Sequence, residues 1–224
     1  MKLIELSDYT LSPIGQGNGL NRFYFDLSKG DVCSIQADLP DDAHLLLKGI
    51  AMLERPANGD YRFMGEKINF SDHRNLLPYK KKMGYITTDA SMISNMSIRE
   101  NLLLMRYYFE NSLSLDIKDN VKNLCVFFDI YNKLDVRPGA LRPTELRSAI
   151  AIRELTKSPD ILLFERPEDF IRRTKFDLFV KLLKEMLLAG LPVVFISYDA
   201  NFIKEFSNRQ ILISNGNLTV VKEG

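Results

Sequence analysis

Short apolar and β-branched runs recur along the chain, most of them strand-length, and helical spacing interrupts them in the middle. Runs at 2–7, 22–27, 31–36, 60–64 and 83–87 read as strands. In the central part Ser97 stands three residues before Glu100, the spacing of a capping box. The helix it opens carries Leu102-Leu103-Leu104-Met105 and Tyr107-Tyr108-Phe109, a broad apolar surface. Asp116 is expected to open a second helix, with Val121, Leu124, Cys125 and Phe128 at three- and four-residue steps. Pro143 suits the first turn of a third, where a missing N–H costs little. The chain then alternates: strand 160–164, helix 174–189, strand 192–196, helix 199–206 and strand 209–213. Such alternation predicts a parallel sheet. Asn215-Gly216 turns the chain into a last strand, 217–221.

The most informative segment lies between the apolar run at Val32 and Ile35 and a helical run expected from His44 to Leu53. This is the strand–loop–helix setting of the Gly-x-x-x-x-Gly-Lys-Ser/Thr loop, whose backbone N–H groups and lysine cradle a triphosphate. Here Ala37, Pro40 and Asp42 stand where glycines would, Ala43 where the lysine would, and His44 and Leu45 at the hydroxyl pair. Proline removes an N–H donor. Asp38, Asp41 and Asp42 put negative charge where more would have to bind. The same carboxylates suit the capping of the helix that follows. The loop is therefore expected to reject ATP.

Several stretches, taken in order, resemble the ATP-binding subunits of ABC transporters, and the likeness runs nearly end to end. Phe23-Tyr24-Phe25-Asp26-Leu27-Ser28-Lys29-Gly30-Asp31 is similar to that family's F-x-L-x-K-G-E turn. Ile50 to Asp60 is similar to its I-A-G-L-x-x-P-x-x-G stretch. Gly84 to Asp89, followed by Met96 to Leu102, is similar to G-Y-V-F-Q and L-T-V-R-E-N-V. Leu141 to Leu155, then Ser158 to Pro167, resembles the signature helix and the P-x-L-L-L-L-D-E-P strand. The resemblance implies an α/β fold of the ABC-type ATPase: a mainly parallel core sheet, an antiparallel β subdomain and a helical insertion. It implies one domain over 1–224, with its core at 1–87 and 156–224 and the insertion and signature helix at 88–155.

Carried over residue by residue, the catalytic positions are all changed. Glu165 falls on the strand-end aspartate that holds magnesium, and Arg166 on the glutamate that polarises the attacking water. Thr88 falls on the glutamine that bridges to magnesium and to the membrane subunit, and Tyr198 on the switch histidine. Arg142, Pro143, Thr144 and Glu145 fill the signature. The aspartate of the following loop falls near Arg172, and Tyr9 lies near the position of the aromatic that stacks on adenine. Phosphoryl transfer rests on positioning and on electrostatic stabilisation by lysine, metal and oriented N–H groups. The resemblance with these changes implies a catalytically inactive subunit that binds neither nucleotide nor metal at its own site. Such a subunit would pair with an active ATPase, or a second copy, that holds ATP and magnesium. Arg142 and Thr144 would face the partner's phosphates. Met92, Ile93, Met96 and Tyr108 would dock an integral-membrane permease. A divergent but active ATPase is the alternative, and a soluble regulatory module that binds other proteins is a second. Arg137-Pro138-Gly139-Ala140-Leu141 and Met96 to Leu104 resemble ATPases of the mammalian-cell-entry-type lipid transporters, which implies bacterial lipid transport.

Composition changes this picture little. Hydrophobic residues make up 46% and charged ones 26% of 224, an ordinary globular balance. A net charge of +1 gives no reason to expect nucleic acid as a partner, and Lys80-Lys81-Lys82 reads as a solvated helix end. Cys33 and Cys125 read as reduced core thiols, and His44 and His73 have no partners at metal-ligand spacing. Met1-Lys2-Leu3-Ile4-Glu5 turns polar at once, unlike a signal peptide, and runs such as Leu191 to Ser197 are too short to span a membrane. The expected location is cytoplasmic, at the inner face of the bacterial cell membrane, held there by the permease.

Overall fold

The computed structural model describes residues 2–111, 116–170 and 173–222. The strands are β1 (Lys2–Leu11), β2 (Leu20–Ser28), β3 (Val32–Ala37), β4 (Asn58–Phe63), β5 (Glu66–Lys67), β6 (Met83–Ile86), β7 (Ile161–Glu165), β8 (Val193–Ile196), β9 (Arg209–Ser214) and β10 (Asn217–Lys222). The helices are α1 (Pro40–Ile50), α2 (Leu77–Lys80), α3 (Ile98–Glu110), α4 (Asp119–Phe127), α5 (Pro143–Leu155), α6 (Pro167–Phe170), α7 (Arg173–Leu188) and α8 (Ala200–Phe206).

Two sheets result. An antiparallel sheet runs β2-β1-β4-β5, and a six-stranded one runs β10-β9-β3-β8-β7-β6. Strands β9, β3, β8, β7 and β6 are parallel, and β10 closes the edge as the antiparallel arm of a hairpin. Its turn residues, Asn215 and Gly216, both take the left-handed φ that a two-residue hairpin turn requires. The central strands are buried on both faces, so alternate residues serve two different cores. On β7, Ile161 and Leu163 join a cluster with α1 and the antiparallel sheet. Leu162 and Phe164 face the other way, into a cluster with α3, α4, α5, α7 and α8. Phe164 stacks on Phe195 of β8 there, ring centres 5.3 Å apart. The fold is thus α/β, with a mainly parallel core sheet and a separate antiparallel sheet.

Local boundaries differ from expectation in three places. Helix α1 starts at Pro40 rather than at His44, because proline is preset for the first helical position and Asp41 and Asp42 suit the positive end of the helix. Only Asp38 and Leu39 separate it from β3. Helix α4 starts at Asp119, not Asp116, whose carboxylate instead accepts from the Ile117 N–H at 2.7 Å. Strand β5 has only two residues, too few to leave a periodic trace.

Candidate functional site

A crevice opens where β3 and β8 end and α1 and α8 begin, the place where open α/β sheets take ligands. Its volume is about 370 Å³, and Ala37, Pro40, Ala43, Ile196, Tyr198 and Ile203 are among its walls. The three aspartates beside it do not cap α1: its N-cap is Leu39, with no side-chain cap bond. They face elsewhere. Asp41 accepts the Gln16 N–H at 2.7 Å and Asp42 the Gly19 N–H at 3.0 Å. Asp38 accepts from the Ser214 hydroxyl at 2.6 Å. The glycine-rich segment 15–19 is drawn tightly over these carboxylates. A Cβ on Gly17 would lie 2.5 Å from Asp42 Oδ1, so a side chain there has no room.

Next to the crevice, at the end of β7, Glu165 is the centre of a hydrogen-bond cluster. Its carboxylate accepts from Tyr85 Oη at 2.6 Å, Thr87 Oγ1 at 2.7 Å, and the Thr88 N–H and Oγ1 at 3.1 Å. His44 Nδ1, on the first turns of α1, lies 3.1 Å from Oε1, the oxygen that also accepts from Tyr85. Burial pushes the Glu165 carboxyl up, but the bonds from His44, Tyr85, Thr87 and Thr88 outweigh it and bring it down to about 2. His44 is raised, chiefly by its bond to Glu165 and against its own burial. The pair is therefore an imidazolium–carboxylate contact over a wide range of pH.

Arg166 follows Glu165 with φ of 49°, a strained value for a side chain this size. Its N–H donates to Ile196 O at 2.8 Å, and its guanidinium lies 5.3 Å from the ring centre of exposed Tyr198. Sequence reasoning missed Glu168, which holds the end of β8: Oε2 accepts from Ser197 Oγ and Oε1 from the Tyr198 N–H, both at 3.0 Å. Only the glutamate in Pro167-Glu168 hinted at it.

Elsewhere the structure separates residues that the sequence grouped. Glu145 is buried and turned inward: it accepts from the Arg142 N–H at 3.0 Å, pairs with the Arg142 guanidinium and with Lys133 at 2.8 Å, and so locks the start of α5. Hydrogen bonds from Arg142 and Lys133 hold its carboxyl at about 2. Arg142 itself is exposed, Pro143 takes the first helical position, and Thr144 O accepts from Ser148 Oγ. Met92 is buried in the helical core, so it offers no docking surface. Ile93 is 40% and Tyr108 66% exposed, and Met96 is half-buried. Asn101 fixes their loop by bonding Ile93 N at 2.8 Å and Ile93 O at 3.1 Å. Tyr9 cannot stack on adenine, because it is fully buried with its ring edge-on to Phe23 and Tyr61. Arg172 lies outside the described residues.

As arranged, these residues do not fit a magnesium-bound triphosphate. Ala43 brings no cation into the crevice, and four neighbours occupy the Glu165 oxygens. Nucleotide binding requires that cluster to rearrange, and no hydrolytic step follows from it.

No protein-family model matches the chain. It is 23% identical over 202 residues, 90% of its length, to the methionine import ATP-binding protein MetN of Mannheimia succiniciproducens. It is 28% identical over 179 residues, 78% of its length, to the molybdenum import ATP-binding protein ModC of Brucella melitensis. The chain spans only 58% and 48% of those relatives' own lengths. A dimeric, post-hydrolysis ATP-binding cassette bound to ADP and Pi superimposes with a TM-score of 0.82 at 19% identity, covering 99% of this chain and 100% of that one. The resemblance to ABC-transporter ATP-binding subunits is thus borne out, and the ABC ATPase fold with it. Two expectations are corrected: that the chain is not an enzyme, and that its own site takes no nucleotide. The relatives are named ATP-binding proteins, and the superimposed cassette holds ADP and Pi. Both expectations rested on residue types, in the loop before α1 and at Thr88, Arg142 to Glu145, Glu165, Arg166 and Tyr198. Those relatives are named for import of methionine and molybdenum, not lipid.

Proposed function

We propose that this chain, an ATP-binding cassette by fold, is a divergent ATPase subunit of a membrane transporter that takes ATP in the crevice at the ends of β3 and β8. One observation carries the reading. The amino end of α1 and the Tyr198 strand end meet at a single crevice at the carboxyl edge of a parallel sheet, with the ionised Glu165 cluster beside it, where it would rearrange to admit nucleotide. The named import roles of its relatives support transport as the purpose of that site. The cassette works in a pair and is coupled to a membrane-embedded partner at the cytoplasmic face. Among the described residues no helix is long and apolar enough to cross a membrane, so the partner supplies the membrane path. Exposed Ile93 and Tyr108, with Met96, belong to the surface we assign to that contact.

Calorimetry on the purified chain with magnesium and ATP tests the site. Saturable binding is expected below about 1 mM, the top of the usual KM range. Tyr198→Asp, an exposed position facing the crevice, is expected to weaken it about tenfold or more by setting a carboxylate against phosphate. Absence of binding, both by the chain and by its complex with the membrane partner, would overturn the reading.

A further inference from the structure

With Tyr9 buried, a nucleobase needs another aromatic to rest on, and the crevice holds one. Among the described residues no charged side chain lines it, and its one aromatic is Tyr198. The rest is alanine, isoleucine and proline, apart from Gln36 and Ser197. Its 370 Å³ is near the lower end for small-molecule pockets, about 300–1,000 Å³. Tyr198 is 64% exposed, yet it is held in place. Glu168 Oε1 accepts the Tyr198 N–H, and Oε2 accepts from the Ser197 hydroxyl, both at 3.0 Å. Ser197 Oγ in turn accepts the Asp199 N–H at 3.1 Å, and Asp199 caps α8 through the Asn201 and Phe202 N–H groups. The Arg166 guanidinium, 5.3 Å from the ring centre, covers one side of the ring and leaves the other to solvent.

A slot with apolar walls and one fixed ring suits a flat, uncharged heterocycle. A triphosphate would find no cation inside it, whereas a base finds a ring to stack on and apolar surface to cover. We propose that Tyr198 is the base platform of this site. The nucleobase stacks inside the crevice on the side of the ring away from Arg166, and the phosphates lie at the mouth, toward the amino end of α1. That the ligand is a nucleotide rests on the ATPase reading above. Every base has a π-face, and the double ring of a purine overlaps a tyrosine more than a pyrimidine does. Exposed Gln36 brings an amide that both donates and accepts, so it suits adenine and guanine alike. The ligand class is therefore purine nucleotides, with no choice between ATP and GTP.

The chain contains no tryptophan, so Tyr198→Trp places a single emitter on the platform of the full chain. Its emission is expected to change saturably with adenosine, ATP and GTP, and to stay constant with inorganic triphosphate. In calorimetry Tyr198→Leu is expected to weaken ATP and GTP about tenfold or more. Tyr198→Phe, which keeps the ring, should bind both as the wild type does, and CTP should bind more weakly than either. The position is exposed, and an unchanged melting temperature checks that each variant is folded. ATP held equally tightly by Tyr198→Leu would sink the platform and leave ATP binding standing. So would emission that ignores both adenosine and ATP while calorimetry still shows ATP bound. A strong preference for ATP over GTP would overturn the purine class. Emission that responds to adenosine in a protein that binds no ATP, alone or with its membrane partner, would keep the platform and remove the ATPase reading.

Discussion

Glu165 is charged because of its neighbours, and that makes a pH prediction. Burial opposes the charge, and the bonds led by His44 win, so the carboxyl sits at about 2 instead of 4.5. A lowered carboxyl stabilises the fold above its ordinary value, and that contribution is lost as pH falls toward 2. His44 is raised from 6.5. Its contribution is complete below that value and is lost as pH rises through the folded one. Both are present between pH 4.5 and 6.5, the ordinary values of the two groups. There His44→Ala is expected to cost about 1–3 kcal/mol, the range for stripping a partner from a buried charged acceptor. The cost should shrink at higher pH, as wild-type His44 loses its proton. Urea unfolding of both proteins from about pH 5 to about pH 9 measures the gap. A gap that stays constant would mean the contact is not an ion pair. Asp42 gives a companion test without titration. It is 1% exposed and holds the Gly19 N–H at 3.0 Å. Asp42→Ala is expected to destabilise by about 1–3 kcal/mol, and Asp42→Asn, which keeps an acceptor oxygen, by clearly less.

Helix α3 shows what local sequence can reveal. Ser97 Oγ accepts the Glu100 N–H at 3.2 Å, and Glu100 Oε2 accepts the Ser97 N–H at 2.6 Å. Ser97→Ala is expected to cost about 1 kcal/mol, read as a lowered unfolding midpoint with no change in the folded spectrum. The box was legible because its partners are three residues apart, and so was the Asn215-Gly216 hairpin. The alternating strands from Ile161 onward were legible for a similar reason: β7 and β8 are buried apolar runs between helical patterns, and β9 alternates buried and exposed positions. The site was legible as a place but not as an arrangement. The roles of Asp41, Asp42 and Asp38 depend on partners 25, 23 and 176 residues away in sequence. Nothing local tells a carboxylate that caps its own helix from one that ties down a distant loop. Tyr9 and Met92 misled for the same reason. An aromatic and an apolar side chain near a functional motif look available until β2 and β4 close over the one and the helical core takes in the other.

The four residues of β6 span about 13 Å and end beside the Glu165 cluster, next to the crevice proposed to take nucleotide. Strand β6 is the edge of the parallel sheet, and each of its four residues pairs with β7. On the proposed reading the cassette works in a pair. The superimposed cassette is a dimer. On the proposed reading Arg142, with its side chain 65% exposed at the start of α5 and its guanidinium paired with Glu145, is the residue expected to meet a neighbour's phosphates. With magnesium and ATP the purified chain is expected to shift from monomer to dimer in analytical sedimentation. Arg142→Glu should weaken that dimer about tenfold or more, which is ~1.4 kcal/mol. A guanidinium that donates to phosphate oxygens becomes a carboxylate that repels them. The helix itself should survive, because Glu145 keeps Lys133 at 2.8 Å and the Arg142 backbone N–H at 3.0 Å. Arg142→Lys, which keeps the charge and loses the planar fork, should fall between the two. A dimer equally tight in Arg142→Glu would place the contact on another face and remove α5 from the nucleotide's second wall.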